Sequence, residues 1–120
     1  MSAPESLAAE TKEKALVFQR AALAAAHAFP AGRGSPVVNE IEKLSAAAVG
    51  DIFAAGDWDS KAYRIRHYRG ARKLLLEASR LLAIEDEEPF GLAPAMSAKL
   101  KSACREALMS LKHLIFVMEG

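Results

Sequence analysis

A chain of 120 residues is long enough for one domain of ordinary size built around one closed core. Its 16 Lys and Arg nearly balance 15 Asp and Glu, and a net charge of +1 sets it apart from a globally basic nucleic-acid binder. The single cysteine, Cys104, excludes an intramolecular disulfide and suits a reducing compartment.

Alanine accounts for 25 residues, against 5 Pro and 7 Gly. Alanine is the strongest helix former, so the composition alone predicts a helix-rich chain. Met1 to Glu5 lacks a basic n-region, and Glu10, Lys12, Glu13, Lys14 and Arg20 interrupt any apolar run behind it. A secretory leader is therefore not expected. No stretch approaches the ~20 apolar residues of a membrane span. The expectation is a soluble cytoplasmic protein without membrane partners.

The first helix is predicted over about 4–28. Leu7, Thr11, Ala15, Phe18, Ala22, Ala25 and Phe29 recur at spacings of three and four and form one face. Ser2 and Glu5, with Pro4 between them, resemble a capping box. Two Pro and two Gly between Pro30 and Pro36 then break the chain. Gly32-Arg33-Gly34-Ser35 precedes a helix as a phosphate loop does. It lacks the length and the Gly-Lys-Ser/Thr ending of a P-loop, and it reads as a flexible turn.

Ser35-Pro36 supplies N-cap and N1 for a second helix over about 36–55, with Val37, Ile41, Leu44, Ala48, Ile52 and Ala55 on its stripe. Gly50 in its middle is expected to permit close helix approach, and Gly56 to end the helix as C′ residue. Trp58 is predicted as a packing anchor. A third helix is predicted over about 59–84, with Ile65, Tyr68, Leu75, Ala78 and Leu82 inward. Glu85-Asp86-Glu87-Glu88-Pro89 opposes its negative C-terminus and stops it. A fourth runs from Pro94 to about Met118, with Leu100, Ala103, Cys104, Ala107, Leu111, Leu114 and Met118 as its seam. No period-two alternation or internal repeat is present. Four helices of similar length on short connections predict an all-α, up-down antiparallel four-helix bundle as a single domain over 1–120.

Phe29-Pro30 and the run Ala46-Ala47-Ala48-Val49-Gly50-Asp51-Ile52-Phe53-Ala54-Ala55-Gly56 carry a resemblance. They are similar to the bacterial four-helix-bundle proteins encoded in intervening sequences of large ribosomal RNA genes. Those proteins carry Phe-Pro after helix one and an Ala-Ala-x-Ser-Ile-Pro-x-Asn-Ile-Ala-Glu-Gly run ending helix two. Gly50, Ile52 and Ala55 stand where the family has Pro, Asn and Glu. The segment from Tyr63 to Leu82, with Gly70-Ala71 at its centre, resembles the family's third helix. The resemblance implies a ring-shaped homopentamer. It also implies kinship with the accessory variability determinants of retroelements, which bind nucleic acid and partner a reverse transcriptase.

Chemistry is sparse. No Glu is followed three residues later by His, so His27, His67 and His113 do not suggest a di-metal carboxylate bundle. Cys104 on an apolar stripe reads as a buried small hydrophobe with no positioned base. The expectation is no catalytic site, no metal, no cofactor and no small-molecule substrate. The third helix is the exception in charge. Lys61, Arg64, Arg66, Arg69, Arg72 and Lys73 are candidate phosphate contacts, with Arg80 further along and Tyr63 and Tyr68 interleaved. The same cations also read as a solvated face, or as partners of Glu40, Glu42 or Glu85 to Glu88 across subunits. Leu74, Leu81, Leu108, Ile115 and Phe116 exceed a narrow seam and are candidate oligomer-interface residues. Two functions follow as expectations. One is a non-enzymatic homo-oligomer, pentameric by the resemblance; the other is a nucleic-acid-binding accessory module that uses the third helix on RNA or DNA.

Overall fold

A computed structural model describes residues 3–30 and 34–120. Four helices follow in order: α1 (Ala3–His27), α2 (Pro36–Ala55), α3 (Lys61–Ile84) and α4 (Pro94–Glu119). Helices adjacent in sequence pack on one another, α1 closes the ring against α4, and neither diagonal pair touches among the described residues. The result is an up-down antiparallel four-helix bundle of 44 × 22 × 21 Å. None of its described helices is long and apolar enough to cross a membrane.

Local chemistry sets the helix ends. The Ser35 hydroxyl accepts the Val38 N–H at 3.3 Å with Pro36 at the first helical position. α3 starts at Lys61 rather than Asp59 because the Ser60 hydroxyl is the cap used, accepting from the Tyr63 N–H at 3.5 Å. α4 starts on Pro94 behind Ala93, which offers no side-chain cap. Glu85 and Asp86 both face Lys101 of α4, at 3.3 and 3.0 Å. The hydrogen bond that Lys101 donates to Asp86, opposed by desolvation and helped by Glu85, raises the Lys101 pKa. Ser2 of the expected capping box, and Gly32-Arg33 of the expected turn, lie outside the described residues.

Thr11, Ala15, Phe18, Ala22 and Ala25 of α1 are buried as their spacing predicts. So are Ile41, Leu44, Ala48, Ile52 and Ala55 of α2, although Val38 rather than Val37 takes the first core position. The Thr11 hydroxyl bonds the Leu7 carbonyl at 2.7 Å and the Ser110 hydroxyl at 2.9 Å, so the buried polar group that joins α1 to α4 is satisfied.

Three expectations change. Leu108 and Ile115, placed outside the seam as interface candidates, are only 9% and 2% exposed and belong to the chain's own core. Their neighbours Ala103 and Ala107 are small, so α4 sits close to its partners and the flanking positions fall inside. Gly50 permits no close approach, for a Cβ there would meet nothing within 4 Å. The tight contact is at Gly70, where a Cβ would lie 3.0 Å from Asp51 Oδ2. Gly56 does cap α2, but with φ −70° it makes no left-handed turn; the positive φ is at Gly91.

Because Gly50 is exposed in a helix interior with open space around it, Gly50→Ala is expected to stabilise the fold by about 0.5–1 kcal/mol. Urea unfolding with an unchanged m-value checks this, and a lowered midpoint would contradict the open environment described.

Candidate nucleic-acid interface

The outward face of α3 is basic. The helix holds seven basic residues against one acid, Glu77. Arg66, Arg69, Lys73 and Arg80 recur at three-, four- and seven-residue steps and are all exposed. Two of them are engaged. Arg69 clamps Glu119 of α4 through Nε, at 2.8 Å, and Nη2. Arg80 bonds Glu77 one turn back at 2.9 Å, and that hydrogen bond holds the Glu77 carboxyl below its ordinary pKa. Lys61, Arg66 and Lys73 are exposed and make no ion pair with any described residue. Arg64 and Arg72 are half-buried and do not belong to this outward face; Arg64 lies toward the core, with its Nε buried and unpartnered. The acids of the loop after α3 do not neutralise the stripe, since Glu85 and Asp86 turn to Lys101.

An aromatic cluster sits where this stripe begins. Trp58, in the connection between α2 and α3, is 46% exposed, and Tyr63 is 47% exposed. Their ring centroids lie 4.9 Å apart at 33°. The Arg66 guanidinium stands 5.7 Å from the Tyr63 ring centre, a cation–π distance. Trp58 is thus no buried anchor, contrary to its sequence reading. Tyr68, though interleaved with the cations in sequence, is 1% exposed and part of the core, as its place on the inward stripe predicts.

The Trp58 ring is held by a relay of side chains. Its Nε1–H donates to His67 Nε2 at 3.0 Å. An indole N–H can only donate, so Nε2 must accept and the hydrogen of a neutral ring resides on Nδ1. Nδ1 then donates to Asp51 Oδ1 of α2 at 3.2 Å. Gly70 completes the arrangement, because the missing Cβ leaves room for the other oxygen of Asp51. Three residues 16 positions or fewer apart thereby tie the connection to both helices it joins. Periodicity does not reveal this relay; the one sequence sign was a glycine in mid-helix beside a histidine three positions earlier.

The other candidates are dispersed. Phe116 is 76% exposed on the outward side of α4, with Met109, two turns earlier, 64% exposed. Leu74 and Leu81 are half-buried and pack on the core, while Leu76 is 43% exposed. Cys104 is buried, its thiol directed at the Leu75 carbonyl at 3.7 Å, and desolvation pushes its pKa up to about 12. Such a thiol is a packing group, not a nucleophile. An open groove of about 570 Å³ between α1 and the start of α4 is lined by Val17, Ala21, Ala24 and Met96, with Arg20 and Lys99 at its edge. It is remote in sequence from the α3 stripe and holds no acid or nucleophile. The chain matches no protein-family model, no curated protein and no solved structure.

Removing the His67 ring leaves the Trp58 Nε1–H without its acceptor and Asp51 Oδ1 without its donor. Trp58 is the only tryptophan, so its emission reports the surroundings of the indole, and it is expected to change in His67→Ala. Identical emission spectra for His67→Ala and the native chain, with helical content constant, would show that the relay does not hold the indole.

Proposed function

We propose that this chain is a non-enzymatic nucleic-acid-binding bundle whose contact surface is the outward face of α3. The observation that carries the reading is the set of exposed cations, Lys61, Arg66 and Lys73, without an acidic partner among the described residues. Unpaired cations on one rigid helix can replace counterions along a phosphate backbone, and no base-specific chemistry is required. The near-neutral total charge does not oppose this, because the balancing acids lie on other surfaces, notably Glu85 to Glu88. The resemblance to the accessory proteins of retroelements points the same way.

A second reading rests on a separate observation. Phe116 and Met109 project from α4 seven residues apart, an exposed apolar pair on a helix whose inner face is already satisfied. Such a pair suits self-association, and the resemblance makes a pentamer the expected number. A ring would repeat the α3 cations around an axis and strengthen their field, so the two readings reinforce each other.

Gel-shift titration at low salt against single- and double-stranded oligonucleotides tests the first. Arg66→Glu with Lys73→Glu is expected to weaken binding at least roughly tenfold; unchanged affinity would remove α3 as the surface. Light scattering tests the second. A mass that is a multiple of 12.9 kDa, falling in Phe116→Ser, is expected, and a native chain at 12.9 kDa would end the self-association reading.

A further inference from the structure

Trp58 and Tyr63 pose a question that the charge of α3 does not answer. Large aromatic rings nearly half exposed to water are unfavourable unless something covers them. The core does not need them, for it closes without either. The indole N–H, the one polar group of Trp58, is already taken by His67. The ring is therefore oriented, and what it offers outward is an uncommitted π-face. Tyr63 packs against one side of the indole, with ring centroids 4.9 Å apart at 33°, and Arg66 stands 5.7 Å from the Tyr63 ring centre, so the exposed part of the indole is the side away from Tyr63. Tyr63, Arg66 and His67 stand at i, i+3 and i+4 of one helix, so platform, cation and support share one side. Lys73 lies two turns further on, about 10 Å along the helix from Arg66, a separation of one to two phosphates on an extended strand.

We infer that Trp58, backed by Tyr63 and with Arg66 close by, is a stacking platform for an unpaired base, and that the preferred ligand is single-stranded nucleic acid whose phosphates run along Arg66 and Lys73. This deepens the nucleic-acid reading above and rests on it. Every base presents a π-face, so the platform is tolerant of sequence. A duplex keeps those faces inside its stack and can engage only the cations. Preference for single strands over duplex is thus the signature of the aromatic site, whereas the cations alone would bind both.

The test is a titration of the full chain with oligothymidylate, oligouridylate and a duplex of equal length, followed by Trp58 emission and by anisotropy of a labelled strand. Both single strands are expected to quench Trp58 saturably and to bind more tightly than the duplex. Trp58→Ala is expected to weaken single-strand binding roughly tenfold, the effect of losing one base stack, and to leave duplex binding unchanged. Trp58→Phe keeps a ring but not the N–H, and is expected to retain most of the affinity. Helical content by circular dichroism accompanies each variant; if Trp58→Ala does not fold, the quenching of the native chain and Trp58→Phe decide the matter. Saturated single-strand binding with no change in Trp58 emission would overturn the platform, as would an equal loss for duplex and single strand in Trp58→Ala. In both cases the α3 reading still stands. If the native chain binds none of the three ligands, the reading and the platform fall together.

Discussion

The close approach of helices across alanine is the constraint on which the structure depends. Ala15, Ala22 and Ala25 in α1, Ala48 and Ala55 in α2, Ala71 and Ala78 in α3, and Ala103 and Ala107 in α4 are all buried at the contacts. Interaxial distance follows the size of the side chains at the contact, so small residues let the backbones come together. Larger groups such as Phe18, Ile41, Ile52, Tyr68, Leu75, Leu111 and Leu114 then fill the space between those contacts. Closeness also widens the arc that each helix hides. Leu108 and Ile115 are inside for this reason, and one chain closes its own core.

A self-contained core frees the outward faces for other work, and they differ in kind. α3 turns a basic stripe to water, α4 turns Met109 and Phe116, and the loop between them gathers acids that Lys101 partly holds. The segregation is local rather than global, which is how a chain of net charge +1 presents a surface of one sign. At the start of that stripe, Asp51, His67 and Gly70 fix the exposed Trp58 ring in place. The polar relay is thereby structural in its contacts, and its effect is to orient an aromatic surface.

The fold was legible because its signals are local. Ser35-Pro36, Pro94 and the acid run after Ile84 mark helix ends, and three-four spacing marks the inward faces. Partner-dependent features were not legible. Whether Leu108 lies inside depends on how near its neighbours come, which the sequence of α4 alone does not state. Gly50 and Gly70 look alike in sequence, yet only Gly70 faces a side chain from another helix. Trp58, expected as a packing anchor, is exposed for a related cause. An aromatic on the inward phase of α3 is core whatever charges flank it, and one in a connection is exposed unless a helix covers it. Of the six cations singled out, the stripe keeps Arg66, Arg69 and Lys73, while Lys61 stands exposed at the helix start. Arg64 and Arg72 fall off it by helical phase.

The salt dependence of single-strand affinity bears most directly on the central claim, that unpaired α3 cations meet phosphates. Three such cations, Lys61, Arg66 and Lys73, should give a slope of log affinity against log salt of about −2. Lys73→Gln should reduce its magnitude by about 0.7, one phosphate contact. An affinity indifferent to salt, or a slope that Lys73→Gln leaves untouched, would contradict the account.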